Sequence, residues 1–169
     1  MWIEILRPGV VDDMEFRVVF APWRYKYIKA IGKGGCFLCE AANQQGRDDE
    51  LLVPLRGRHV FLILNKYPYT WGHVMVATYR HIATVEEMTV EEWAEMIQMA
   101  KRAVEALKKV VGAQAFIIGL NIGRAAGAGL ESHIHLHIIP KDTEVKADDL
   151  DAALAELTKK LREALVHTA

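Results

Sequence analysis

Three histidines, His133, His135 and His137, stand at alternate positions, separated by Ile134 and Leu136 and followed by Ile138, Ile139 and Pro140. Strict alternation with branched apolar residues reads as a half-buried β-strand. Positions two apart on a strand share a face at a spacing of roughly 6.5–7 Å. The imidazoles then form one row, while Ile134, Leu136 and Ile138 reach into a core on the other side. An imidazole held in one tautomer presents a lone pair on its second nitrogen near neutral pH. Such a nitrogen acts as a nucleophile without first losing a proton, and a neighbouring ring can assist a leaving atom. The row also has the donor type of a catalytic metal site, a second reading of the same residues. A lone histidine on an apolar strand is more commonly a satisfied core residue, but three in a row argue for a site.

Further residues with reactive or binding side chains lie upstream. Cys36 and Cys39 are the only cysteines of the chain. At the start of a helix they fall one turn apart and both thiols reach one ion. The bland alternative is a pair of reduced thiols, one of them packed in the core. The spacing is wrong for a framework of structural disulfides. Asn121 opens a loop of small residues with glycines at 123, 127 and 129. Gly127 and Gly129 let backbone N–H groups approach an anion closely. Beside these glycines Arg124 offers positive charge to an anion, and Ser132 a hydroxyl. Taken alone, His73 reads as a strand-edge histidine and Asn65 as a turn residue ending its strand.

The elements that must position these residues are legible in the pattern. Val60 to Leu64 is continuously apolar, as in a strand buried on both faces. His73 to Thr78 reads as the next strand, antiparallel to the first, after the connection 65–72. Thr89 and Glu92 form a capping box. The helix they open carries Trp93, Met96, Ile97, Ala100, Val104, Leu107 and Val111 as its core stripe, and Gly112 ends it. Ala115 to Leu120 reads as a strand leading into the loop. A final helix carries Leu150, Leu154, Leu157, Leu161 and Leu165, with Asp148 and Asp149 near its start. Nearer the N-terminus, Arg17 to Phe20 suits an edge strand, and Pro22 suits the first turn of a helix over 21–28. His59 and His167 take no role.

With 169 residues, 51% hydrophobic and 25% charged, the chain is sized for one domain with one substantial core. A net charge of −1 gives no reason to expect nucleic-acid binding. No apolar run reaches the ~18–20 residues of a membrane helix, and the first turns lack a signal-peptide core. A cytoplasmic setting is therefore expected.

The run His133-Ile134-His135-Leu136-His137-Ile138-Ile139 resembles the signature of the histidine triad (HIT) superfamily of nucleotide hydrolases and transferases. All seven positions fit. The likeness covers about residues 20–140 and is nearest to the branch of fragile-histidine-type dinucleoside polyphosphate hydrolases and diadenosine tetraphosphate phosphorylases. It implies an α+β fold with a mostly antiparallel sheet and a long packed helix, to which this chain adds a C-terminal helical extension at about 147–166. It implies His135 as the nucleophile that carries a nucleotidyl intermediate, with His137 and His73 assisting. Asn65 would bind the ribose hydroxyls, and Asn121, Gly127, Gly129 and Ser132 the phosphates. Cys36, Cys39, His81 and His133 would hold a structural zinc. A homodimer acting on adenosine-containing dinucleoside polyphosphates or phosphoramidates follows from the same likeness. A nucleotide-binding sensor with little turnover is the alternative. In the phosphorylase branch a Pro-Arg-Trp-type segment continues from the triad, whereas here Pro140 is followed by Lys141-Asp142-Thr143. The leucine helix is expected to replace that segment at the rim of the nucleotide pocket.

Overall fold

The computed structural model describes Trp23 and residues 35–166. The strand expected at 17–20, the helical turn at 21–28 and His167 lie outside the described residues, apart from Trp23. In chain order the elements are α1 (Phe37–Asn43), β1 (Leu55–Arg56), β2 (Val60–Leu64), β3 (Val74–Thr78), α2 (Val90–Val111), β4 (Phe116–Leu120), β5 (His135–Pro140) and α3 (Leu150–Val166). The strands form one antiparallel sheet in the order β1-β2-β3-β5-β4. This is the expected α+β architecture.

Alternation along the central strands divides the sheet into two chemically different faces. Val60, Leu62 and Leu64 of β2, Val74 and Val76 of β3, and Leu136 and Ile138 of β5 join one core with α2 and α3. Phe61, Ile63, Met75 and Ala77 point the other way and meet Leu38, Ala41 and Ala42 of α1. His135 and His137 share this second face, because each pairs with one of its residues: Ala77↔His135 and Met75↔His137.

Helix α2 begins at the expected capping box. The Thr89 hydroxyl accepts from the Glu92 N–H at 3.2 Å, and the Glu92 carboxylate accepts from the Thr89 N–H at 2.8 Å. It ends at Gly112, whose φ of 76° is left-handed. Its core stripe is rotated from the expected one. Ile97 is 56% exposed, whereas Met99, Ala103 and Ala106 are buried beside Met96, Ala100 and Leu107. The alanines let the helix lie close to its neighbours, which places the contact line one step round from the bulkiest side chains.

Leu154, Leu157, Leu161 and Leu165 of α3 are buried in the same core as α2. The Arg102 guanidinium ties the two helices by donating to the Leu165 carbonyl at 2.8 Å. Arg162 reaches the Val53 carbonyl at 3.0 Å. The helix therefore lies on the face away from the histidines, and the expectation that it forms a pocket rim is not met. The leucine stripe needs an apolar surface, and the helix side of the sheet supplies one.

Candidate active site and metal centre

The histidine strand is shorter than the alternation suggests. β5 begins at His135, and His133 sits just before the ladder, where the following Ile134 N–H donates to the Ile82 carbonyl at 2.7 Å. The row consequently splits in two. His135 and His137 remain side by side, with ring centroids 4.7 Å apart and nearly perpendicular. The His133 side chain belongs to a different cluster. This arrangement does not bring the three rings onto one metal, so the catalytic-metal reading of the row fails.

His135 is 7% exposed, and its Nδ1 lies 2.7 Å from the His133 carbonyl oxygen. A carbonyl only accepts, so Nδ1 carries the proton and Nε2 keeps its lone pair. Burial holds the pKa of His135 below that of an ordinary histidine, which keeps the ring neutral.

His73 follows Gly72, whose φ is 84°. A side chain at Gly72 would also press on Leu107 Cδ2, 3.0 Å from its Cβ, so the turn requires glycine. The turn delivers His73, buried, to the histidine face. The Tyr69 N–H donates to His73 Nδ1 at 3.3 Å, so the proton of His73 is on Nε2. That proton points at His137 Nδ1, 3.0 Å away. His137 then carries its own proton on Nε2. The Tyr69 ring stacks on His73 with centroids 5.3 Å apart and planes 19° from parallel. A lone-pair nitrogen on His135 and an N–H donor on His137 thus stand beside each other, the pair of functions that phosphoryl chemistry needs. Gly119 pairs with His137 across the sheet, and a Cβ there would meet nothing within 4 Å. Glycine in the middle of an apolar strand leaves open space beside the ring. Tyr69 and Gly119 were not among the residues singled out from sequence; the isolated strand glycine was the available signal.

The binding candidates lie at the ends of β2 and β4 and in the loop that follows β4. Asn65 continues β2 on the histidine face. Its N–H donates to the His73 carbonyl at 3.0 Å, and its Oδ1 accepts from the Tyr67 N–H at 2.9 Å. It is a turn residue, and its Nδ2 lies 3.7 Å from Met75 Sδ, the residue paired with His137. Asn121 continues β4 with the same alternation as Gly119. Gly127, Gly129 and Ser132 lie in the loop from β4 to β5. Gly127 has a φ of 84°, but its N–H donates to the Arg124 carbonyl at 2.9 Å and so closes a short 3-10 turn instead of facing outward. Arg124 is paired with Glu131 at 3.0 Å, which offsets the charge expected to face phosphate.

The second cluster contains Cys36, Cys39, His81 and His133, whose four ligand atoms all lie within 4.8 Å of one another. Cys36 caps α1, and its sulfur accepts from the Cys39 N–H at 3.4 Å, which turns both thiols the same way. His133 is fully buried, and its Nε2 donates to the Thr78 carbonyl at 2.8 Å. Its Nδ1 lone pair therefore faces Cys36 Sγ at 3.2 Å and Cys39 Sγ at 3.5 Å. His81 Nδ1 approaches Cys39 Sγ to 3.0 Å. Burial, then the neighbouring Cys36, push the Cys39 thiol up to about 11. Two adjacent thiolates need a cation between them. Two sulfurs and two imidazole nitrogens, with the buried ring fixed by a carbonyl, fit a closed tetrahedral metal site.

A family model described as the HIT domain matches residues 52–144. An AP-4-A phosphorylase of Mycobacterium tuberculosis is 40% identical over 94 residues, covering 56% of this chain and 48% of that protein. An asymmetrical bis(5'-nucleosyl)-tetraphosphatase of Schizosaccharomyces pombe is 32% identical over 98 residues, covering 57% of this chain and 52% of that protein. The chain spans about half the length of these curated relatives. Among solved structures, a Zn-bound histidine triad family protein from Mycobacterium smegmatis aligns with a TM-score of 0.62 and 25% identity, over 78% of this chain and 94% of that one. No helix among the described residues is long and apolar enough to cross a membrane.

Proposed function

The chain belongs to the HIT family, and on that premise we propose that it is a nucleotidyl hydrolase or transferase cleaving adenosine-containing dinucleoside polyphosphates or phosphoramidates at the α-phosphate. The observation that carries this reading is the 2.7 Å contact between His135 Nδ1 and the His133 carbonyl, which leaves Nε2 as a neutral nucleophile. In the first step Nε2 bonds to the α-phosphorus. The bond to the leaving oxygen breaks, and its electron pair departs with that oxygen, towards the N–H of His137. The resulting imidazolium keeps its Nδ1 proton on the carbonyl. Water or orthophosphate then attacks the same phosphorus, its proton passing to solvent as the new P–O bond forms; the P–N bond breaks with its electron pair returning to Nε2, and His135 is again neutral with its proton on Nδ1. His73 holds the tautomer of His137 throughout. Asn65 and Asn121 close the nucleotide site at the ends of β2 and β4. Gly127, Gly129 and Ser132 form its loop wall.

Zinc is the metal that suits Cys36, Cys39, His81 and His133, where its role is to tie α1 to the sheet. A reducing cytoplasmic setting keeps the two thiols available for it. Pairing through β4 into a homodimer is supported by the place of that strand at the sheet edge and by Ile117 and Ile118, 52% and 49% exposed. The decisive experiment is a multiple-turnover assay on a panel of adenylylated substrates, with and without orthophosphate. Release of AMP or ADP is expected; tight nucleotide binding without turnover would favour the sensor.

A further inference from the structure

A single peptide group links Trp23 to the catalytic histidines. The indole N–H of Trp23 donates to the Pro68 carbonyl at 2.8 Å. The other half of that same peptide is the Tyr69 N–H, which donates to His73 Nδ1 at 3.3 Å. The peptide is trans, so its two polar atoms point in opposite directions, one held by the indole and the other aimed at the imidazole. Beyond His73 the series continues through Nε2 to His137 Nδ1 at 3.0 Å. Hydrogen bonds in such a series polarise one another, and fixing the orientation of one fixes the direction of the rest. Without the indole, the peptide between Pro68 and Tyr69 is free to rock in its turn. His73 can then reverse its tautomer and hand His137 a lone pair where an N–H is needed.

We propose that Trp23 is a positioning residue that sets which nitrogen of His137 carries the proton, acting through the Pro68–Tyr69 peptide and His73. The proposal rests on the reading of His137 as donor to the leaving oxygen. The series moves no proton; it orients the N–H that meets the oxygen as the P–O bond breaks and the electron pair departs.

Trp23→Phe keeps an aromatic ring while removing the N–H donor together with the five-membered half of the indole. Wild type and variant are compared on two adenylyl esters of similar size, with 4-nitrophenol and phenol as leaving groups. The nitrophenolate departs with little help, whereas the more basic phenolate depends on a donor. We expect kcat/KM to fall about fivefold or more on the phenyl ester and less than about twofold on the nitrophenyl ester. Equal losses on both esters, or none on either, would overturn the proposal. Imidazole 15N spectra give a readout independent of turnover. They should show His73 in one tautomer, with the proton on Nε2, in wild type, and a mixture in the variant. An unchanged His73 pattern overturns the role of Trp23. A wild type that cleaves neither ester counts against the enzyme reading instead, and the spectra alone then decide for Trp23.

Discussion

Replacing Leu161 by alanine separates the two faces of the sheet experimentally. Leu161 is 1% exposed, packed with Leu154, Leu157 and Leu165 against the α2 side of the core. Burial of one leucine is worth roughly 1.5–3 kcal/mol. Truncation to alanine adds the cost of the cavity, giving about 2–5 kcal/mol in all. Ala100, Ala103 and Ala106 already bring α2 close to its neighbours, so little collapse is available and the upper half of that range is expected. Total stability for a domain is typically about 5–15 kcal/mol. At about 2–4 °C per kcal/mol for a chain of this size, Tm should fall by roughly 7–20 °C. Urea unfolding measures the stability loss, and kcat/KM on two adenylylated substrates is measured well below the new Tm. Because the histidines are on the opposite face, the ratio of the two rates should stay within about twofold. A stability loss under about 1 kcal/mol, or a changed leaving-group preference, would refute this placement of α3.

On the other face, His135→Ala should abolish turnover while nucleotide binding persists, as measured by calorimetry beside the rate assay. A variant retaining more than about a hundredth of the wild-type rate would have lost less than ~2.7 kcal/mol of barrier stabilisation, too little for a nucleophile. Protein purified without chelators should contain about one zinc per chain by elemental analysis, and Cys39→Ser should contain almost none. The Arg80 guanidinium, with help from the Thr89 N–H, holds the Glu92 carboxyl below the usual carboxylate range against the opposing effect of burial. Its contribution to stability is complete above the ordinary glutamate pKa of about 4.3 and is lost as pH falls through the lowered native value. Glu92→Gln should therefore be destabilised near neutrality, and its difference from wild type in urea unfolding should shrink in acid.

Elements marked by local chemistry were legible in the sequence. The Thr89–Glu92 capping box, Gly112 and the apolar run of β2 all stand where the residues put them, because each is decided within a few positions. The side of the sheet that receives α3 is a long-range choice. The leucine stripe reveals a need for apolar contact and carries no address. The alternation of histidines located His135 and His137 correctly, but it overextended the strand, because the Ile134 N–H turns to Ile82 and takes His133 out of the ladder. Tautomers were out of reach for the same reason. They depend on the carbonyl of His133 and the N–H of Tyr69, main-chain atoms whose direction no side-chain pattern records.

His133 serves two masters with different parts of itself: its ring faces the cysteines, and its carbonyl holds His135. Every amino acid has a carbonyl, so the second of these duties does not by itself call for histidine at 133. Loss of the ring would orphan Cys36, Cys39 and His81 together, and those three would then mutate without further penalty. The acceptor for His135 would survive, provided Ile134 stays pinned to the Ile82 carbonyl. The two duties are therefore separable by substitution: a change of the ring at 133 falls on the cysteine cluster, and a shift of its backbone falls on the tautomer of His135.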